Sequence, residues 1–488
     1  MGLSRDIALM GCQITELIKV ARIACLNELE LYFGVETTEE MVNPRNEAAA
    51  LSFLLQELTT SPEQGKGNVL SGLTAFINGH ELTSALPCNP PVPEETPSAK
   101  HFDRWASDMG IQSAVEQAKF NGLRGAAAKV TIQPLDPVVN APWKCLINED
   151  TAQNSGIGQA LLMLGIEKEL LLLLYTMIDR HDKDSDFAPF WNSLPQNFST
   201  GLSATEERVS RLMGTPAHST FVEARQHIRQ QYQAAQPLLQ ELTAAYPDDI
   251  TPDMVDEDMF TWACELWYSY AIEVEYPDGV VRQALVPMAH FLNHSPWPHI
   301  IRYGRLDAIT NSLRLRAFRP CSAGFQCFLS YGPLPNLKLL LFYGFALPNN
   351  PHDIVSITLE VPVDACKPMR DAVLDEHDIQ LQHHLRRGPM SPHLLACLKV
   401  LAADDHTLRQ MLAGSGESLT QAGAIDLDVR ELLTAYLTPL LEAYKTALQR
   451  CRSSHSGALQ DGFAKGMCVF LKDQIDILES NLQLMCCA

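Results

Sequence analysis

The sequence predicts an α+β protein: a β-rich core with a helical insert, followed by an all-helical C-terminal lobe. Three observations predict it. Leu313, Leu315 and Ala317 alternate with Arg314 and Arg316, and Val355, Ile357, Leu359 and Val361 alternate with Ser356, Thr358 and Glu360, which is the period of half-buried strands. Between about 158 and 275 the apolar spacing switches to steps of three and four. Two long helical stripes then close the chain. Leu433, Tyr436, Leu437, Leu440, Leu441, Tyr444 and Leu448 form one, and Met467, Phe470, Leu471, Ile475, Leu478 and Leu482 the other. Stripes of this kind are packing faces.

Residues 1–60 read as a helical extension. Ile14, Ile18, Ala21, Cys25 and Leu29 share one face, and Glu47 to Leu58 reads as a second helix. Residues 61–99 read as a linker, with Gly65, Gly67, Gly72 and Gly79 and then the run from Pro87 to Pro97. The core is placed at 100–365, its insert at about 158–275, and the lobe at 366–488. Within the core, 100–150 alternates short apolar pieces with Gly and Pro, which suits short strands. Thr251-Pro252-Asp253 reads as a helix start, a capping residue followed by Pro at the first position. Met259, Trp262, Ala263, Leu266 and Trp267 continue that helix.

Composition narrows the function. The chain has 488 residues, 46% hydrophobic and 19% charged, enough to bury large cores. Its 37 Lys and Arg stand against 58 Asp and Glu, a net charge of −21. Phosphate needs Lys and Arg to neutralise it, so the charge argues against nucleic acid or an anionic membrane as partner. It suits a protein partner with a basic segment. The longest aliphatic run is Leu170 to Leu174, far short of the roughly 20 residues of a membrane span. The N-terminus, with Arg5, Asp6, Glu16 and Lys19, has no signal-peptide layout, and Asp6 stands where a myristoylation signal prefers Ser or Thr. Thirteen scattered cysteines read as reduced thiols. A cytoplasmic or nuclear compartment is expected.

Two clusters draw attention as chemistry. One is Phe291-Leu292-Asn293-His294-Ser295, after Ala284-Leu285-Val286-Pro287-Met288. The other is Tyr331-Gly332-Pro333-Leu334-Pro335-Asn336, followed by Leu339 to Phe345. On the residues alone, Asn-His-Ser is often a turn, and paired tyrosines such as Tyr331 and Tyr343 are often core with a satisfied hydroxyl. No metal is expected. His290, His294 and His299 lack the Glu of a zinc-protease helix, and Pro296 and Pro298 break any shared helical face. The pairs Cys321/Cys327 and Cys486/Cys487 do not match structural zinc spacing.

The combined order is Pro-x-x-x-x-Leu-Asn-His-Ser, then Ser-Tyr-Gly-x-x-x-Asn, then Leu-Leu-x-Tyr-Gly-Phe, then Asn-x-Pro-x-Asp. It resembles the SET-domain protein methyltransferases, in the branch of the Rubisco large-subunit lysine methyltransferase and the actin-histidine methyltransferase. The resemblance covers about 100–488. Phe102, Trp105, the Gly110 region and Gly122-Leu123-Arg124-Gly125-Ala126 resemble the branch's opening strands. Phe190-Trp191-Asn192-Ser193-Leu194-Pro195 and Leu212-Met213-Gly214-Thr215 resemble its insert, and Phe260-Thr261-Trp262-Ala263 the helix before the site. Leu432 to Thr446 and Ala464 to Leu478 resemble its substrate-binding lobe. Arg22 to Glu28, with Asn43 to Glu47 and Ala50-Leu51, looks like part of a second such lobe, or is a generic amphipathic pair.

The resemblance implies S-adenosylmethionine as cofactor and methylation of a lysine side chain of a protein, with histidine as the other acceptor. It makes Tyr331 the catalytic residue. Arg124, Gly125, Ala126, Ser269, Asn293 and His294 would bind the donor, and Tyr343 and Phe345 would line the substrate channel. The chain departs from the family at four places. Tyr270 follows Ser269 where the family has an arginine for the donor's carboxylate. His290 stands in place of an acidic residue, Phe120 in place of a glycine, and Pro335 in place of a serine. A non-catalytic SET-like binding module is therefore the alternative function.

Overall fold

The computed structural model describes residues 14–26, 42, 46–54 apart from 48 and 52, and 92–487 apart from 94–95, 121, 296–297, 301–305, 308, 318–319, 388–389, 415–426 and 454–461. The chain divides into two units. The first takes the described residues up to 203 together with 223–333, and the second takes 204–222 and 334–487.

In the first unit, helix α1 (Ile14–Ala24) is followed by helical residues at 46–54. Arg22 forms a buried two-pronged ion pair with Glu47, at 2.7 and 2.8 Å, and Asn46 donates to the Arg22 carbonyl. The sequence motif of the extension thus closes on itself through three polar residues. Residues 27–41 and 55–91, including most of the expected linker, lie outside the described residues. The end of that stretch is ordered into the core, because β1 (Val92–Pro93) pairs with Lys119 and Ala118. Helix α2 (Pro97–Asp108) follows, and here the reading of short strands from residue 100 is corrected. The Thr96 side chain accepts the Ala99 N–H, and Pro97 takes the first helical position. Ala99, Phe102 and Ala106 then bury one helical face.

Two sheets build the core. The first has the order β1-β3-β4-β11-β8, with β3 (Val115–Phe120) and β4 (Leu123–Ala128) as an antiparallel pair from Val115↔Ala128 to Phe120↔Leu123, and β11 (Gln326–Leu329) and β8 (Asn293–His294) beyond them. Gly122 has a φ of +84° at its turn, a conformation open to glycine. The second sheet has the order β2-β5-β10-β9, joining β2 (Gln112–Ser113), β5 (Pro137–Pro142), β9 (Leu306–Asp307) and β10 (Ser312–Arg316). Leu313 and Leu315 are buried and Arg316 is exposed, as their alternation predicts. β6 (Ile272–Glu275) and β7 (Val281–Ala284) form a separate antiparallel pair.

The insert starts earlier than the periodicity suggested, with α3 (Glu149–Asn154), α4 (Gly156–Met163) and α5 (Lys168–Asp179). It continues through α6 (Ala188–Trp191), α7 (Glu206–Ser210) and α8 (Pro216–Ala245) to α9 (Glu257–Tyr270). Thr251 does not cap α9, because Pro252–Met254 is only a 3-10 turn and Thr251 makes no capping bond. Asp256 caps it instead, accepting the Met259 N–H at 2.7 Å, and Glu257 and Asp258 add negative charge to the first turn. Carboxylates at a helix N-terminus meet its unpaired N–H groups and its dipole.

In the second unit, α10 (Asn336–Lys338) runs directly into a π turn, Leu339–Tyr343. β12 (Val355–Thr358) pairs antiparallel with β13 (Gln382–Leu385). Four residues are too short for a period-two count, so β13 is a strand inside a stretch expected to be all helical. Helices α11 (Lys367–Glu376), α12 (Pro392–Ala402) and α13 (Asp405–Leu412) lead to α14 (Leu427–Ser453) and α15 (Gly462–Cys487). The two predicted stripes are largely buried here, Leu433, Leu437, Leu441, Tyr444 and Leu448 on α14 and Met467, Phe470, Leu471, Ile475 and Leu478 on α15, while Tyr436, Leu440 and Leu482 are half-buried.

A buried polar cluster fixes the start of α10. The Asn336 backbone N–H donates to Asp353 Oδ1 at 2.9 Å, and its amide reaches Asp353 Oδ2, Asp473 and the Leu347 carbonyl. Gln474 donates to the same Asp353 oxygen. Burial pushes the Asp353 carboxyl up to about 6, despite the N–H bond from Asn336. The folded state therefore holds a proton there that the unfolded chain, near its ordinary 3.8, has released. Stability relative to Asp353→Asn should fall by up to about 3 kcal/mol as pH rises from about 4 to 6. Denaturant melts of both proteins across that range check this, and a uniform offset from the lost acceptor leaves the slope readable.

Candidate functional site

The candidate site grows from β8 (Asn293–His294), which lies parallel to β11 (Gln326–Leu329) with Phe328 opposite Asn293 and Leu329 opposite His294. Met288 sets up the approach. It has φ +69° and ψ −40°, and a 3-10 turn at Ala289–Phe291 follows. Pro296 and Pro298 come next in the sequence and cannot donate to a ladder.

Tyr331 follows β11 and is held three ways. Its N–H donates to His294 Nδ1 at 3.0 Å, its hydroxyl donates to the Leu292 carbonyl at 3.0 Å, and its ring stacks on His294 with centroids 5.1 Å apart. With Nδ1 accepting, the neutral His294 ring keeps its proton on Nε2. With its own proton committed to Leu292, the Tyr331 oxygen presents lone pairs, so it can accept a hydrogen bond from an incoming N–H. Gly332, at φ +107°, turns the chain immediately afterwards.

β4 supplies the neighbouring wall. The Asn293 amide donates to the Arg124 carbonyl at 2.8 Å. A Cβ on Gly125 would lie 2.5 Å from the Gln326 amide nitrogen and 3.0 Å from that of Asn293, so the position admits only glycine without displacing them. Ala126 is fully buried opposite Cys327. The Arg124 guanidinium donates to the Ser193 carbonyl and sits 5.2 Å from the centre of the Phe291 ring.

The departures at 270 and 290 meet in one aromatic cluster. The His290 ring packs against Phe102, Phe190 and Phe291 and lies 6.5 Å from the Tyr270 ring. Burial, and then the Arg124 charge, hold His290 well below the usual histidine range, so it is neutral. Ser193 Oγ gives its proton to the Phe190 carbonyl and lies 3.0 Å from His290 Nε2, so it accepts from that nitrogen. Ser269 stands one residue before Tyr270, and its hydroxyl is donated to the Glu265 carbonyl of its own helix.

The structure thus gathers Arg124, Gly125, Ala126, Asn293, His294 and Tyr331 around β4, β8 and β11 of the first unit. Tyr343 and Phe345 belong to the second unit, at the end of the π turn and just beyond Gly344, whose φ is +79°. Their rings pair at 6.3 Å. Gly466 of α15 backs them: a Cβ there would lie 3.1 Å from the Phe345 Cα and the Ala346 nitrogen.

Sequence reasoning did not assign Ser193, although it stands inside a quoted motif. Nor did it join His299 to Cys321 and Cys327. All three are buried, with ligand-type atoms within 4.8 Å of one another. However, His299 Nδ1 accepts the Phe328 N–H at 3.1 Å. The neutral ring then carries its proton on Nε2 and has no lone pair to offer a metal without losing that bond.

No family model matches the chain. The actin-histidine N-methyltransferase of Canis lupus familiaris is 27% identical over 375 residues, which is 72% of this chain and 62% of that protein. The Homo sapiens protein of the same name is 26% identical over the same shares. The chain therefore spans less than two thirds of the length of these curated relatives. Among solved structures, the SET domain of LSMT bound to lysine and AdoHcy superposes with a TM-score of 0.60 at 20% identity, covering 80% of this chain and 92% of that one. Rubisco LSMT bound to AdoMet gives 0.57 at 21%, covering 80% and 93%. The chain has the fold of these SET domains and is similar in sequence to these methyltransferases. Within its core, the β4–β11–β8 arrangement is where Arg124-Gly125-Ala126, Asn293-His294 and Tyr331 come together. No helix among the described residues is long and apolar enough to cross a membrane.

Because the Asn293 amide ties β8 to the Arg124 carbonyl, Asn293→Ala should leave that acceptor unpaired and destabilise the SET core by about 1–3 kcal/mol. Urea unfolding of variant and parent measures the loss.

Proposed function

We propose that this SET-domain chain transfers a methyl group from S-adenosylmethionine to a lysine side chain of a protein. The observation that carries the reading is Tyr331: its backbone and hydroxyl are both tied to the Leu292–His294 segment, leaving its oxygen fixed as an acceptor. Relatives with the same fold have been solved with AdoMet, AdoHcy and lysine, which supports the donor and the acceptor class.

The residues fit such a donor. Arg124 supplies a guanidinium beside Phe291, close enough to His290 to depress its protonation. It is the cation we assign to the donor's carboxylate, in the absence of an arginine at 270. Gly125 and Ala126 keep β4 free of bulk, while Asn293 and His294 offer the β8 backbone. Ser269, its proton already donated, can only accept, which suits the donor's ammonium. A neutral His290 adds no negative charge to repel the carboxylate. When bound, S-adenosylmethionine supplies an electrophilic methyl group on a sulfonium.

The protein's part is alignment. Tyr331 accepts an N–H of the neutral amine and points its lone pair along the line of attack, so proximity and exclusion of water lower the barrier. Tyr343 and Phe345 are assigned to the channel that admits the side chain. A protein substrate with a basic segment suits the net charge of −21. The second reading is a histidine acceptor, favoured by the actin-histidine N-methyltransferases among the curated relatives. An imidazole nitrogen meets the same hydroxyl in the same way, so lysine and histidine peptides compared in one methylation assay decide between them.

Tyr331→Phe removes one hydroxyl and keeps the ring. It should lower kcat about 10- to 100-fold while leaving the donor Kd unchanged, as expected for an interaction that acts on the transfer step. Single-turnover kinetics and calorimetric donor titration separate the two. Tyr270→Arg should bind donor more tightly than the parent if a second cation strengthens the carboxylate site. Absence of donor binding at millimolar concentration in both the parent and Tyr270→Arg would replace the enzyme with the non-catalytic binding module.

A further inference from the structure

The helical insert of the first unit holds a pocket of about 500 Å³ that shares no residue with the candidate site. Leu161 of α4, Ile178 of α5, Leu242 of α8 and Ile250 beyond it line the pocket and are buried. A volume of this size suits a small ligand or a few side chains of a peptide. The charged lining is mostly of one sign. Asp182, Asp248 and Asp249 are exposed there, against a single basic residue, Lys183.

The backbone adds charge of the same sign. α5 ends at Asp179 and α8 at Ala245, so the C-terminal ends of both helices adjoin the pocket residues His181, Asp182 and Tyr246. Helix C-termini carry partial negative charge and favour cations. The N-terminus of α4, at Gly156, also lines the pocket, but it is capped: the Ser155 hydroxyl accepts the Gly158 N–H at 2.9 Å. Tyr246, 36% exposed, adds an aromatic ring to the lining, and such rings attract ammonium and guanidinium groups. His181 adds a polar atom that the chain itself leaves unmatched, because its Nε2 is buried without a hydrogen-bond partner. Burial, and then the Arg180 charge, hold this imidazole below the usual histidine range against the pull of Asp253 and Asp256. The ring is therefore neutral at pH 7 and can accept an N–H.

We propose that this pocket docks a basic protein segment, taking the long side chain of a lysine or arginine with its methylenes on the apolar wall and its charge among Asp182, Asp248 and Asp249. Both side chains have this form, an apolar stem with a charged tip. A purely apolar ligand would leave the carboxylates unmatched, and an acidic one would be repelled by them. The net charge of −21 draws basic partners to the chain in general, and the pocket fixes where one of them seats. The site does not depend on methyl transfer, so it stands or falls separately from the proposed function.

The test uses the full chain and fluorescein-labelled Gly-Leu-Lys-Leu-Gly, read by fluorescence polarisation. Salt at about 0.15 M screens long-range attraction to the acidic surface. The lysine peptide should bind, the same peptide with norleucine in place of lysine should bind about tenfold more weakly, and the glutamate version should not bind. Asp248→Asn combined with Asp249→Asn should weaken the lysine peptide about 3- to 10-fold, the share of two exposed ion pairs. Asp375→Asn combined with Glu376→Gln makes the same charge change at exposed positions of α11 and should leave binding unchanged. Ala160→Trp, which fills the pocket, should abolish binding in a chain whose circular dichroism matches the parent; if that variant unfolds, the two charge-removing pairs decide. No binding of the lysine peptide at millimolar concentration, equal binding of the norleucine or glutamate peptide, or equal loss from both charge-removing pairs would overturn the proposal.

Discussion

The parallel pairing of Asn293–His294 with β11 organises the candidate site, because both side chains of this short strand are engaged by backbone elsewhere. Asn293 holds the Arg124 carbonyl of β4, and His294 receives the Tyr331 N–H beyond β11. Two ladder positions alone make a weak strand. The side-chain bonds tie this edge strand to β4 and to the segment beyond β11. Gly125 belongs to the same constraint, since the amides of Asn293 and Gln326 occupy the space its side chain would need.

The residues at 270 and 290 form a consistent chemical set. Here His290 is neutral, bonded to Ser193 and ringed by aromatic groups, with Tyr270 nearby. An uncharged cluster of this kind avoids the desolvation cost of burying ions. Arg124 remains as the local cation, anchored by the Ser193 carbonyl.

Much of the architecture was legible from apolar spacing. The strand at 313–317 and the stripes of α14 and α15 needed only their periods, because burial on one face imposes period two or period 3.6. Motif order likewise brought Arg124, Asn293, His294 and Tyr331 into one region of chain-distant strands. Elements fixed by polar geometry were less visible. Phe102 and Trp105 sit on a helix whose start is signalled by Thr96-Pro97, a pair hidden at the end of a Pro-rich stretch. The start of α9 went to Asp256 rather than Thr251, since several candidate caps stand close together and only backbone geometry selects one. The asparagines and aspartates of the later motifs proved to be a buried hydrogen-bond cluster. Sequence can place such residues in order but cannot tell a ligand contact from a structural one.

Met288 has a consequence beyond the site it introduces. Its positive φ costs on the order of 1–3 kcal/mol for a residue with a side chain. The turn persists because that side chain is buried. The geometry of Asn293–His294 is thus underwritten by packing at a residue assigned no ligand contact. Core substitutions around Met288 that loosen this packing would let the turn relax and β8 shift with it. In a mutational survey such changes would disturb the candidate site, though none of its residues had been altered. The tolerance of this region to sequence drift is therefore set by the core behind it.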